Sequence, residues 1–189
     1  MILFIDTETT GLPRKKSPSI NQYTYWPRLV ELAWIECEND GTLIAEYNSI
    51  IRPDSFTIPD SASAVHGITT KEAQDKGQSL VLVLEQFRSS LEHCSLIIGH
   101  NVEFDANVIA AESHRSGIVL PIQSYQKKCT MRSSVRLCKL KRCAGYKNPT
   151  LAELHYFLFG LSFPDSHRAL GDARACMRCF FELMNRGIF

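Results

Sequence analysis

Apolar residues change their spacing along the chain, and the changes lay out the elements. Ile2–Glu8 alternates and predicts a strand. Leu29–Cys37 and Leu43–Ile51 predict two more, and Glu38-Asn39-Asp40-Gly41 between them carries the Asp-Gly signal of a hairpin. A polar, proline-bearing connection, Pro13–Pro27, with the basic cluster Arg14-Lys15-Lys16, separates the first two strands. After Arg52-Pro53 the period lengthens. Thr69 followed by Glu72 is a capping-box pattern, and Leu80, Val83, Leu84, Phe87 and Leu91 then share one helical face. Leu96-Ile97-Ile98 is a short buried strand ending at Gly99. Further helices are predicted over Phe104–Ser116, around Met131–Lys141, over Thr150–Phe159, and from about Arg168 to Asn185, with Gly117, Gly160 and Gly187 as stops. Three strands followed by helices alternating with at least one more strand predict an α/β domain with a mixed sheet. No repeat, low-complexity linker or second domain is visible, so one domain over 1–189 is expected.

Composition narrows the class. In 189 residues, 44% hydrophobic and 22% charged, the apolar runs stay far below the roughly 18–20 residues that cross a bilayer. Met1 leads straight into a strand with no basic leader, so a cytoplasmic protein without a membrane partner is expected. Seven cysteines are an odd number and read as free thiols. Cys138-x4-Cys143 near Cys129, and Cys176-x2-Cys179, do not make a four-ligand zinc set.

The net charge of +1 hides an asymmetry. Between Glu112 and Glu153 lie Arg115, Lys127, Lys128, Arg132, Arg136, Lys139, Lys141, Arg142 and Lys147, and no acid. A basic block in an otherwise acidic chain reads as a polyanion contact or as a solvated face. On a helix over Met131–Lys141, Arg132, Arg136 and Lys139 form one charged stripe beside an apolar one of Met131, Val135 and Cys138. Such a row suits a phosphate backbone rather than base edges.

Candidate chemistry sits at three element ends. Asp6 and Glu8, two apart on a strand, point to one face. Side by side they repel, and a hard divalent ion would relieve them, although an exposed acidic strand face has the same pattern. Gly99-His100-Asn101-Val102-Glu103-Phe104-Asp105 follows a buried strand and opens a helix, where α/β folds hold ligands. His167 precedes the last helix, and Asp172 borders its packing stripe of Ala169, Ala173, Cys176, Phe180 and Leu183. A carboxylate there needs a partner or a metal.

In this order, Asp6-x-Glu8, Asn101-x-x-Phe104-Asp105 and His167-x-x-x-x-Asp172 resemble the three motifs of the DEDDh, or DnaQ-like, 3′→5′ exonuclease family. The stretch Asp6-Thr7-Glu8-Thr9-Thr10-Gly11-Leu12 is close to the family form. Ala62-Ser63-Ala64-Val65-His66-Gly67-Ile68-Thr69 looks like an element of its epsilon-like, DNA-processing branch. The resemblance implies an RNase H-like fold, a five-stranded mixed sheet flanked by helices. It implies stepwise hydrolysis from the 3′ end of nucleic acid, DNA favoured, releasing nucleoside 5′-monophosphates. Two divalent ions, Mg²⁺ or Mn²⁺, would be held by Asp6, Glu8, Asp105 and Asp172, and His167 would take the proton of the attacking water. Two ions suit that chemistry, and so does histidine as a residue type, whose unperturbed pKa of about 6.5 lies near working pH.

Around these five the resemblance implies a substrate pocket. Leu12 and Phe104 would stack against terminal bases, although either residue alone reads as core. His66 would contact the terminal nucleotide, and Thr9 and Thr10 the 3′ hydroxyl. Asn101 would cap the following helix or touch substrate. His100 has no assigned role, and Glu103 reads as a first-turn helix acid. The chain ends soon after the last helix, without the C-terminal extension by which the epsilon subunit binds its polymerase, so free-standing activity is expected ahead of a polymerase partner. An exoribonuclease of the same family and a non-catalytic nucleic-acid-binding subunit are the alternatives.

Overall fold

The computed structural model describes residues 1–16 and 18–189. Strands β1 (Ile2–Thr9), β2 (Leu29–Cys37), β3 (Leu43–Ile50), β4 (Leu96–Gly99) and β5 (Lys127–Cys129) form one sheet in the order β3-β2-β1-β4-β5. The first three are antiparallel neighbours, and β4 and β5 add in parallel on the far side of β1. Among the described residues, seven α-helices accompany them: α1 (Asp60–His66), α2 (Thr70–Lys76), α3 (Leu80–Glu92), α4 (Val102–Ser116), α5 (Thr130–Cys138), α6 (Leu151–Phe159) and α7 (Ala169–Asn185).

The alternation of β1 decides which layer covers which side. Leu3 and Ile5 point into a core with Leu32 and Trp34 of β2, Leu84 and Phe87 of α3, and Ala106 and Ile109 of α4. Ile2 and Phe4 point the other way, onto Ile35, Ala173, Cys176 and Phe180. Phe4 and Phe180 meet edge to face at 5.5 Å between ring centroids, which anchors α7 to the middle of the sheet. The even-numbered continuation of β1, Asp6 and Glu8, therefore shares its face with α7, and Thr7 and Thr9 share theirs with α4.

Strand β5, helix α5 and the short helix α1 differ from what the apolar pattern predicts. Strand β5 was not foreseen, because Lys127-Lys128-Cys129 has neither alternation nor apolar character; its pairing with β4 makes it a strand. Helix α5 ends at Cys138, since Lys139 turns left-handed (φ 49°) and its N–H closes onto the Val135 carbonyl at 3.1 Å. Lys139 thus leaves the charged stripe. The expected apolar stripe is also displaced: the buried positions of α5 are Thr130, Ser134 and Cys138, with Met131 and Val135 half-buried. The hydroxyls of Thr130 and Ser134 lie at 3.4 Å from the Gly99 carbonyl and 2.7 Å from the Thr130 carbonyl, which permits their burial.

Candidate active site

Asp6, Glu8 and Asp172 converge where β1 runs under the first turns of α7. One carboxylate oxygen from each lies within 4.8 Å of the others. Burial and mutual repulsion raise their proton affinity. Burial, then Asp105, Asp172 and Glu8, push Asp6 well above the carboxylate range. Burial and the neighbouring acids raise Glu8 to about 8. Burial raises Asp172 to about 6, against the lowering influence of the His167 backbone N–H, 3.4 Å from Asp172 Oδ1. Three crowded hard-oxygen donors form a set that could bind a metal ion.

Asp105 is placed differently. It is buried on α4, and Thr7 Oγ1 donates to its Oδ1 at 2.7 Å. Thr7 projects from the opposite face of β1 to Asp6 and Glu8, so Asp105 approaches the strand from the α4 side. Burial raises it to about 7, with the Thr7 bond pulling the other way. It shares the electrostatics of the trio without joining the 4.8 Å group.

His167 is exposed in the loop before α7, at a left-handed φ of 64°. Asp165 in the same loop is also left-handed, and its carbonyl lies against Gly171, where any Cβ would come within 2.3 Å of it. Only glycine lets this loop close onto the helix.

A cavity of about 290 Å³ opens beside the acids, lined by Thr7, Glu8, Thr9, Gly11, Leu12, Ser61, Ala62, Val65, His66 and Phe104. Leu12 is 81% exposed at its rim. Phe104 is half-buried, its ring 6.2 Å from that of Trp26. His66 is buried at the end of α1, a helix the sequence reading did not draw; the Ile68 N–H donates to its Nδ1 at 3.1 Å. Its Nε2 has no partner among the described residues, and burial lowers its pKa. The Thr9 hydroxyl donates to the Gly11 carbonyl at 2.7 Å, and the Thr10 hydroxyl accepts the Arg28 N–H at 3.0 Å, so both shape the turn after β1. Asn101 precedes α4 in a left-handed conformation (φ 78°) without a side-chain cap bond, which removes the capping role.

Other residues of the neighbourhood carried no clear sequence signal. Burial lowers His100 to about 4, and the neutral ring links Thr130 Oγ1 to the Pro149 carbonyl, both at 3.0 Å. Glu112, buried on α4, binds Arg28 Nε at 2.8 Å and Arg115 at 3.0 Å. Arg115 also donates to the carbonyls of Tyr23, Trp26 and Pro27, so this member of the basic block is a structural clamp. Arg132, Arg136 and Lys139 are exposed.

The exonuclease family model (RNase_T) matches residues 3–180. The chain belongs to the exonuclease family. It is 29% identical over 172 residues to the DNA polymerase III subunit epsilon of Buchnera aphidicola (Schizaphis graminum), covering 91% of this chain and 67% of that protein. It is 26% identical over 182 residues to the 3′-5′ exonuclease DinG of Bacillus subtilis, covering 96% of this chain but 17% of that one. The fold matches E. coli exonuclease I solved with a dT13 oligonucleotide (TM-score 0.75, 20% identity), over 97% of this chain and 40% of that chain. This exonuclease chain therefore spans less than two thirds of DinG and of exonuclease I. The five-stranded sheet and its helices are the RNase H-like arrangement of that fold. No helix among the described residues is long and apolar enough to cross a membrane.

Proposed function

We propose that residues 1–189 form one exonuclease domain that hydrolyses nucleic acid from its 3′ end, DNA ahead of RNA, releasing nucleoside 5′-monophosphates. The observation that carries this reading is the carboxylate trio of Asp6, Glu8 and Asp172, within 4.8 Å, at the edge of a cavity of about 290 Å³. The three raised carboxylates crowd one another, and such a set of hard oxygen donors suits a divalent metal. Asp6, Glu8 and Asp172, with Asp105 from the other face of β1, would hold two ions, Mg²⁺ or Mn²⁺. Two such ions, when bound, supply charge to offset the phosphodiester and lower the pKa of an attacking water.

The chain's own residues do the rest. His167, exposed on its loop, accepts the proton of the attacking water. His66 offers a buried, unpaired Nε2 to the terminal nucleotide, while Leu12 and Phe104 present apolar faces to its base. Thr9, Thr10 and Asn101 shape the backbone that receives the 3′ hydroxyl. Arg132 and Arg136 on α5, with Lys139 beyond its end, grip phosphates farther along the strand. The DNA-polymerase names among the relatives support DNA.

Purified protein incubated with 5′-labelled DNA and RNA oligonucleotides, with Mg²⁺, Mn²⁺ or chelator, tests the reading. A ladder shortening from the 3′ end, abolished by chelator and blocked by a 3′-phosphate, is expected, with DNA cut faster. Cleavage of a circular single strand, or faster cutting of RNA, overturns the polarity or the substrate respectively.

A further inference from the structure

Glu31 lies directly opposite Glu8 in the β1–β2 register, fully buried. Its charge adds to the crowding of the trio. Four donors close on its two oxygens. Arg168 Nε reaches Oε2 at 3.1 Å and Nη2 reaches Oε1 at 2.6 Å. The Ala169 N–H donates to Oε2 at 3.0 Å, and Asn48 Nδ2 from β3 to Oε1 at 3.1 Å. Burial alone would raise Glu31; the Arg168 and Ala169 bonds outweigh it and hold the carboxyl below its ordinary value.

The pair occupies a particular place in the chain. Arg168 is the residue before α7 and has no side-chain cap of its own; Glu31 takes the first orphan N–H of that helix from a neighbouring strand. The Arg168 N–H is tied to the Asp165 carbonyl at 3.1 Å, and its carbonyl accepts the Asp172 N–H at 3.0 Å. His167 is the next residue on one side, and Asp172 is one helical turn away on the other. A bidentate fork fixes position and orientation together, which a single point charge does not.

We infer that Arg168, gripped by Glu31, is a positioning residue that sets both Asp172 and His167 against the acids of β1, and this rests on the functional reading above. Losing the fork lets the first turn of α7 and the loop move as one piece, while the binding cavity, built from β1, α1 and α4, stays in place.

Arg168→Gln and Arg168→Lys test it. For Arg168→Gln, kcat on a short DNA oligonucleotide should fall at least tenfold with KM within about threefold of wild type, and Mn²⁺ binding by calorimetry should weaken at least fivefold. Arg168→Lys, which keeps the charge without the fork, should fall between the two and guards against a misfolded glutamine variant. If both variants unfold at lower urea but keep wild-type kcat and Mn²⁺ affinity, the pair only stabilises the fold and the inference is wrong. If the wild type cuts nothing, the functional reading fails while the Mn²⁺ titration still decides the positioning: unchanged affinity in Arg168→Gln overturns it, and weakened affinity upholds it.

Discussion

Glu8→Gln should stabilise the metal-free protein in alkaline buffer and destabilise it, relative to wild type, once metal is supplied. Glu8 titrates at about 8 in the folded protein against an ordinary 4.5. At about 1.4 kcal/mol per pH unit, that difference corresponds to on the order of 5 kcal/mol. Its carboxylate is only partly buried, and screening by water brings the realised cost to about 2–3 kcal/mol. The sign follows from a raised folded pKa. The wild type keeps this contribution in full below about pH 4.5 and loses it as pH climbs towards 8. Glutamine never ionises, so the variant escapes the loss. Urea unfolding in chelator at pH 4.5, 6, 7 and 8.5 should show the two proteins nearly equal at the acid end and the variant ahead by about 2–3 kcal/mol at the alkaline end. With millimolar Mn²⁺ at pH 8.5 the order should reverse, because only the wild type retains the full donor set. A difference that is constant across pH, or a variant less stable than wild type at pH 8.5 in chelator, would refute the repulsion argument.

His167→Ala should cut turnover by roughly 10²–10⁴-fold, measured by single-turnover digestion, with Mn²⁺ affinity unchanged because no carboxylate is touched. Arg132→Ala combined with Arg136→Ala should flatten the log–log salt dependence of single-strand binding by about 1.4, or about 0.7 per lost phosphate contact, read by fluorescence anisotropy; an unchanged slope would leave these cations a solvated face. Phe180→Ala should cost about 3–5 kcal/mol in urea unfolding, since the ring is buried against Phe4 and Phe189.

The pattern of apolar residues was sufficient for four of the five strands and for the packing side of α7, because those elements bury one regular face. It failed at β5, where Lys127, Lys128 and Cys129 are recruited by the edge of β4, at α1, and at Lys139, whose left-handed turn closes back onto the Val135 carbonyl. The five positions that match the family motifs were legible because each sits near an element end in a recognisable spacing, and the fold brings three of them, Asp6, Glu8 and Asp172, into one group. That Asp105 would lie across the strand, bonded to Thr7, could not be read from spacing, since it depends on which layer α4 occupies. Glu31 did leave a trace: an acid amid Leu29, Val30, Leu32, Ala33, Trp34 and Ile35 is costly to bury unless matched. Nothing along the chain, however, says that its match is Arg168, 137 positions later.

Asp6, Thr7 and Glu8 are consecutive, so their side chains leave β1 in opposite directions and lean on different cores. Asp172 rides on the layer that packs through Phe4 and Phe180; Asp105 rides on the layer that packs through Ile5 and Ile109. Strand β1 is common to both, and it carries Asp6, Thr7 and Glu8 between them. A repacking of either layer would carry one carboxylate and leave the other behind, so the distance across β1 works as a gauge of whether both halves of the interior are assembled. If the four acids act together as proposed, a chain with one layer docked holds only part of the set, and the complete sandwich of helix, sheet and helix brings both parts to the same strand.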